Sequence, residues 1–587
     1  DDDDDDDDSS DSDGLEQYNG ASKKIKGNIN TNVVDEPSST DDDDDGAGMQ
    51  NLGDDDEVLI EDTSNKFWTI GSTKSENFPI SNFGDKYFQH DKHKTGLFKK
   101  PSSVEMLKFN AYKKVTHALR KMDNKMDKQA QQMWKNINSY IGTRKSSKDD
   151  SGHVEKLLRF ALKAPEELRD EAYLQLIKQT NGNPMSESLI KCWKLLAICA
   201  SIFPPSDEFA SYLAVYLFKS TKSAGAKGQY STFALQALDR TMEVGQRRIQ
   251  PMDLEIQRIE ERQPIPVKIY FLDGTFRTLL VTSQTRAQQV EDALGDVLRL
   301  THKESFGVFE MEEPRPGWSK DVYEKRAKLD RQQKIDDLQY MPLNRELETN
   351  ERIMDVFSSW QRSNKKKNRT IRFVYRCKLH SKAQEVSYSK NGWKIAFLTV
   401  TWHVMHGMYP MDEKDALIAG AIQLQATHGI QDASFYVSGV IVDVIEKYVP
   451  WQLLSKFKPS DLEYKILQHH VNFKHLDKTD CYRRYLKHLR ESTASVYFGC
   501  EYFRCVRVSR IKTQNAEKID LILGINENGV LFLEPVSKKI VERYKMEEIL
   551  TYGFRSNAFL FVAGTLMTQT KFQIATMLGK QMNDLIR

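Results

Sequence analysis

Arg169, Asp170, Glu171 and Lys178 fall within ten positions of RDEAYLQLIKQTNGNP, residues 169–184, and bring together the carboxylates and amine that proton-transfer chemistry uses. Adjacent positions on a helix point about 100° apart, so Asp170 and Glu171 are not an acid and base paired by spacing. The pattern reads instead as Arg169 and Asp170 forming salt links to neighbouring helices, with Lys178 retained for partner contact. His90 with His93, and His469, His470 and His475, have metal-binding side chains, but neither group has cysteines or carboxylates at closing spacing. They read as surface or core histidines, and no metal is expected. The sequence has no GxxxxGK[ST] phosphate loop, no GxGxxG after a strand, no HExxH and no paired CxxC. Catalytic residues are therefore expected to be absent.

The elements that would position these residues divide the 587-residue chain into three or four folding units. Residues 1–62 hold 24 Asp or Glu against 3 Lys, which leaves the rest of the chain with an excess of 22 basic residues. The runs DDDDDDDD at 1–8 and DDDDD at 41–45 cannot repay the entropy of ordering, so residues 1–65 read as an acidic disordered linker. It acts either as a solubilising spacer or as a tethered decoy for the basic body. Six cysteines without CxxC spacing suit a reducing cytosol. No signal peptide is legible, and the apolar stretch FASYLAVYLF is too short to span a bilayer.

From 76 to 250 the period is helical. Val104, Leu107, Ala111, Val115, Leu119, Met122 and Met126 predict one amphipathic helix over 104–126 with a lysine-rich reverse side. Pro165 at the first helical position, Glu166 and Glu167 in the first turn, and Gly182 as the stop predict a helix from 165 to about 180. Two apolar helices follow, broken at Pro204 and Pro205 and restarted at Ser206 or Asp207; they must lie at the centre of a bundle. At 264 the period becomes that of strands, with an Asp273-Gly274 hairpin, then a helix and further strands in a β-grasp order interrupted by a charged insert at 314–340. Residues 386–490 return to helix. Seven strands and one closing helix then give the order of a pleckstrin-homology or phosphotyrosine-binding sandwich.

LLRFALKAPEELRDEAYLQLIKQTNGNP, SLIKCWKLLAICASIFPPS and YLAVYLF resemble the core of a MyTH4 (myosin tail homology 4) domain, and FPISNFGDKYFQ resembles its leading segment. YPMDEKDALIAGAIQLQATHG resembles the central helices of a FERM second lobe. The resemblance implies a multidomain α and α+β fold. A MyTH4 helical domain at 66–262 is followed by a FERM first lobe, a ubiquitin-like β-grasp, at 263–380. The helical second lobe, like an acyl-CoA-binding protein, spans 381–492, and the PH/PTB-like third lobe with its C-terminal helix spans 493–587. Such tandems are similar to the tails of unconventional myosins, most like class VII, with classes X and XV and a plant-type MyTH4-FERM kinesin as alternative parents; a membrane–cytoskeleton FERM scaffold is the alternative function.

The resemblance implies a non-enzymatic cargo-binding and regulatory module, with ATP, Mg and actin belonging to a motor domain elsewhere. Expected partners are cargo or adhesion proteins, microtubules and anionic membrane, without nucleic acid. The expected setting is cytoplasmic, at the cytoskeleton, cell cortex and actin-rich protrusions. Lys113, Lys114, Lys121, Lys125, Lys219, Lys222 and Lys227 are the microtubule candidates, drawn from segments 99–148 (13 basic against 3 acidic residues) and 219–248 (6 against 2). Lys365, Lys366, Lys367 and Arg369 in RSNKKKNRT are the lipid candidates. Tyr552, Phe554, Met577 and Met582 are expected to line a peptide groove between ILTYGF and the closing helix. Class VII tails resemble one another in a basic pair used to fold the tail onto the motor. Lys571 matches its second member, but Thr568 stands where the first should be, which suggests the internal one of two tandem cassettes.

Overall fold

The computed structural model describes residues 52, 57–60, 65–93, 100–111, 115–312, 344–364, 370–429, 439–509, 517–565 and 567–587. The aspartate runs and the 314–340 insert lie outside them. Within the stretch expected to be a disordered linker, Val58–Leu59 forms strand β1, paired in parallel with Leu279–Leu280 of the first β-sheet lobe, and Leu52 is fully buried.

The helical region comprises α1 (Lys66–Thr73), α2 (Ile80–Tyr87), α3 (Ser103–Met106), α4 (Asn124–Tyr140), α5 (Asp150–Ala161), α6 (Glu166–Thr180), α7 (Ser186–Ile202), α8 (Asp207–Thr221), α9 (Ala226–Val244) and α10 (Asp253–Glu261). Pro165 is the N-cap of α6 rather than its first residue, and Gly182 adopts φ +82° beyond its end, a conformation that glycine reaches without Cβ strain. Ser206 caps α8 by accepting the Phe209 N–H at 3.2 Å. As expected from its apolar content, α7 buries eleven of its seventeen residues, whereas α8 buries only seven of fifteen and keeps a partly exposed side.

The helix expected over 104–126 is not formed. Only α3 is helical in its first part, and the described residues 107–111 and 115–123 are not, until Asp123 caps α4. A helix needs its own N–H groups, but those of Ala118, Leu119 and Arg120 are bonded to the Asp127 and Glu171 carboxylates. Gln89 also takes the Ala118 carbonyl at 2.6 Å. Side-chain partners thus outcompete the local periodicity.

The first lobe is a sheet in the order β1-β3-β2-β6-β4-β5, built from β2 (Ile265–Tyr270), β3 (Phe276–Val281), β4 (Phe306–Glu312), β5 (Asn344–Glu346) and β6 (Ile371–Cys377), with helices α11 (Ala287–Val297) and α12 (Ile353–Asn364). β2 and β3 form the expected hairpin, with Gly274 at φ +86°. The second lobe contains α13 (Lys382–Glu385) at its lead-in, then α14 (Lys390–Met405), α15 (Glu413–His428), α16 (Trp451–Leu454), α17 (Pro459–His470) and α18 (Lys478–Glu491). The third lobe has β7 (Glu501–Ser509), β8 (Glu517–Asn526), β9 (Gly529–Leu533), β10 (Ile540–Lys545), β11 (Ile549–Arg555), β12 (Ala558–Gly564) and β13 (Gln569–Ala575), closed by α19 (Gly579–Ile586). Their order, β10-β9-β8-β7-β13-β12-β11, leaves β10 and β11 as the two ends of the sheet.

Buried ion pairs join these parts. Arg247, fully buried after α9, pairs with Glu255 of α10 and donates to Asp355 of α12 at 2.6 Å. Arg376 of β6 donates to Glu501 of β7 at 2.9 Å and stacks over Phe309, with the guanidinium carbon 3.5 Å from the ring centre.

Candidate partner surfaces

The charges of α6 hold a loop in place. Glu171, fully buried, accepts the Leu119 and Arg120 N–H groups at 2.9 and 2.8 Å, while Asp170 accepts the Ser206 N–H at 2.7 Å and pairs with the Arg120 guanidinium. Burial raises the Asp170 carboxyl to about 6 and that of Glu171 to about 7. Arg169 donates to the carbonyls of Pro204 and Ala164 and to the Gln246 side chain. The expected salt links thus become bonds to connecting segments as well as to helices. Lys178, retained for partner contact, is turned inward: its ammonium donates to the Met106 and Lys108 carbonyls, and burial lowers it to about 8.

His90 is bonded to the Pro101 and Gly84 carbonyls and His93 to that of Ala118, and His470 is buried. Among the described residues no group of three or more His, Cys, Asp or Glu is arranged to hold a metal. No described helix is long and apolar enough to cross a membrane. All six cysteines are buried free thiols.

Of the microtubule candidates, Lys113 and Lys114 lie outside the described residues. Lys121 and Lys125 are exposed, before and within the first turn of α4. Lys219 and Lys222 are exposed at the end of α8, with the Lys222 ammonium 5.3 Å from the Phe218 ring centre. Lys227, at the start of α9, is half-buried and sits 6.0 Å from the Trp193 ring centre, so it contributes less to the outer field than its sequence position suggested. Arg120 and Arg247, counted in the basic surplus of these segments, are instead consumed in buried ion pairs. The lipid candidates Lys365, Lys366, Lys367 and Arg369 lie outside the described residues.

In the third lobe Tyr552 and Phe554 are exposed on β11, as is Leu550 at the same two-residue spacing, and Met577 is almost wholly exposed. Met582 is not a lining residue. It is fully buried in the core with Phe559, Phe561 and Phe572, because α19 lies directly on the sheet. A Cβ on Gly579 would fall 2.8 Å from the Ala558 carbonyl and 3.1 Å from the Phe554 Cβ, so helix and strand close together there. The accessible feature is therefore the outer edge of β11 with its aromatic side chains, rather than a deep groove. Lys571 is exposed on β13, opposite Val562 of β12, and Thr568 closes the turn between those strands with its hydroxyl 2.9 Å from that of Thr565.

Two features were not anticipated. A cavity of about 900 Å³ lies between the second and third lobes, lined by Trp393, by Lys382, Arg483, Lys487, Arg543 and Lys545, and by Glu385, Glu491 and Glu527. A second, of about 350 Å³, lies between α9, α10 and the β3 edge beside Leu59 and Ile60. The apolar triplet of EVLIED within an acidic stretch was the available signal for the latter.

Family models match consecutive parts of the chain: a MyTH4 domain over 154–258, an RA like domain over 263–322, a FERM central domain over 391–503 and a PTB domain of IRS-1 type over 505–587. The chain carries a MyTH4-FERM cassette. The cassette has the fold of the Dictyostelium discoideum Myosin VII MyTH4-FERM MF1 domain, at TM-score 0.66 and 18% identity over 87% of this chain and 96% of that one. The human Myosin 7b C-terminal MyTH4-FERM domain, solved in complex with the harmonin-a PDZ3 domain, matches at TM-score 0.61 and 19% identity over 86% and 95%. In sequence the cassette is 27% identical to the kinesin-like protein KIN-14I of Oryza sativa subsp. japonica over 73% of its length, and 35% identical to Drosophila melanogaster Myosin-VIIa over 24%. It spans about a third of the kinesin-like relative and 6% of that myosin.

Proposed function

We propose that this cassette is the non-enzymatic cargo-binding and regulatory tail module of an actin-based myosin, joining adhesion or membrane partners, and microtubules, to a motor that carries the ATP, Mg and actin sites. The observation that carries this reading is the joint arrangement of helical domain and three lobes, which matches class VII myosin cassettes over most of both chains. The partner complex of the human neighbour supports protein binding as the purpose. The setting that follows is the cytoplasmic cortex and its actin-rich protrusions. The substitution of Thr568 for the expected basic residue favours an internal cassette with a reduced role in motor inhibition.

A second reading, a MyTH4-FERM kinesin tail, is favoured by the sequence match to KIN-14I, which extends over far more of the chain than the match to Myosin-VIIa. The coding sequence flanking the cassette decides between them. A myosin motor supports the first reading, a kinesin motor the second, and the absence of both leaves the FERM scaffold. Turnover by the purified cassette in a broad hydrolase screen would overturn its non-enzymatic character. Flotation with anionic liposomes that survives neutralising Lys365, Lys366, Lys367 and Arg369 would remove their proposed lipid role.

A further inference from the structure

In a β-grasp sheet the outer edge of a terminal strand presents backbone groups that another strand can satisfy. Here the β3 edge is occupied in cis. Val58 and Leu59 pair with Leu279 and Leu280, and the Ile60 N–H donates to the Leu280 carbonyl at 3.2 Å. Leu52 is buried in the core shared by the first lobe, and its carbonyl accepts from Arg277 Nε at 2.7 Å. Val58 and Ile60 pack on the same core.

The occupant fits its seat incompletely. Leu59 remains 55% exposed, beside the cavity of about 350 Å³ whose wall includes Phe233, Ala237 and Ile259 of the helical domain and Leu280 of β3. Arg240 and Arg262 also line it. A larger apolar side chain at the position of Leu59 would remove more surface from water, and an acidic residue beside it would meet Arg262.

We propose that the β3 edge is a strand-acceptor site for a partner protein, taking an extended segment in which an acidic residue precedes three apolar residues with a large side chain at the second, and that Glu57–Ile60 holds this site in cis until the partner displaces it. This inference rests on reading the cassette as a partner-binding module. The paired strand is only two residues long, so its own stability is small and its hold depends on tethering, which places it at an effective concentration on the order of millimolar. A partner therefore displaces it by fitting the cavity better.

The test measures fluorescence anisotropy of labelled synthetic peptides with the full chain. The parent probe has the sequence of residues 50–63, and the second probe carries Leu59→Phe. In the released chain, Val58→Asp and Ile60→Pro remove the apolar contact and the Ile60 N–H from the arm; a circular dichroism melt confirms that the body remains folded. Should that chain misfold, Ile60→Pro alone replaces it. The expected result is at least ~10-fold tighter binding of the parent probe to the released than to the native chain, with the phenylalanine probe tighter still. Equal binding by both chains, no binding to the released chain, or no gain from phenylalanine would overturn the proposal. Because the probe derives from the chain itself, such a failure leaves the motor-tail reading standing.

Discussion

Arg247 of the helical domain donates to Asp355 of the first FERM lobe at 2.6 Å, and the same carboxylate receives the Arg248 and Ile249 N–H groups. Arg247 also pairs with Glu255, and Gln284 of the first lobe reaches the Ser201 carbonyl at 2.8 Å. The helical domain and first lobe are thus joined by a buried ionic contact, not only by chain connectivity.

Removing one partner of a buried ion pair strands the other charge, at about 3–5 kcal/mol. Asp355→Ala is therefore expected to lower stability by ~3 kcal/mol in urea unfolding. Replacing the cluster together, Arg247→Met with Glu255→Gln and Asp355→Leu, should recover part of that loss, since Glu255 is then not left as a buried charge without Arg247. Unchanged unfolding midpoints would show that the contact contributes little.

The carboxylates of α6 impose a pH dependence. Glu171 is raised from 4.5 to about 7. The stability contributed by an acid raised in this way is fully present below its unfolded value and is lost as pH rises through the native one. The wild-type chain should thus lose up to ~3 kcal/mol relative to Glu171→Gln between pH 4.5 and pH 8. Lys178, lowered from 10.5 to about 8, acts oppositely: its stability is lost as pH falls from about 10.5 through 8. Their combined cost is greatest between pH 7 and 8. A wild-type-to-Gln difference constant from pH 5 to 8 would refute the Glu171 assignment.

Lys219 and Lys222 are the exposed part of one basic candidate cluster. Lys219→Glu with Lys222→Glu should reduce microtubule co-sedimentation at low salt by about tenfold or more, while Lys227→Glu alone should have a smaller effect because that side chain lies over Trp193. Unaltered pelleting of the double variant would exclude this surface.

The third lobe separates binding from folding. If a partner peptide adds to β11, Tyr552→Ala should weaken it about tenfold with little change in melting. Met582→Ala should instead lower stability by ~2–5 kcal/mol, as expected for truncation of a fully buried side chain. The reverse pattern would return Met582 to the binding surface.

What was legible followed regular periodicity and strong punctuation. The caps and stops around α6, the Pro204-Pro205 break, the Asp273-Gly274 hairpin and the seven strands before α19 are local signals, and the structure follows them. The loop before α4 was not legible, because its helical pattern is overruled by Asp127 and by Glu171, 52 residues from the N–H it holds. The burial of Asp170 and Glu171 and the inward turn of half-buried Lys178 were hidden for the same reason, since charge type suggests a solvated face unless distant backbone partners are known. Met582 failed as a site residue because an apolar side chain on a closing helix reads alike for groove and core. The docking of Leu52 and Val58 was masked by the acidic residues around them.

The two ends of the third-lobe sheet are unequally protected. β10 carries Glu542, Arg543 and Lys545 along its length, whereas in β11 only the terminal Arg555 is charged, beside exposed Leu550, Tyr552 and Phe554. Charge on a terminal strand discourages pairing with another molecule, and an uncharged, apolar one invites it. Colloidal behaviour is therefore coupled to occupancy: a cassette whose β11 is covered will stay dispersed at concentrations where a bare one self-associates through that strand.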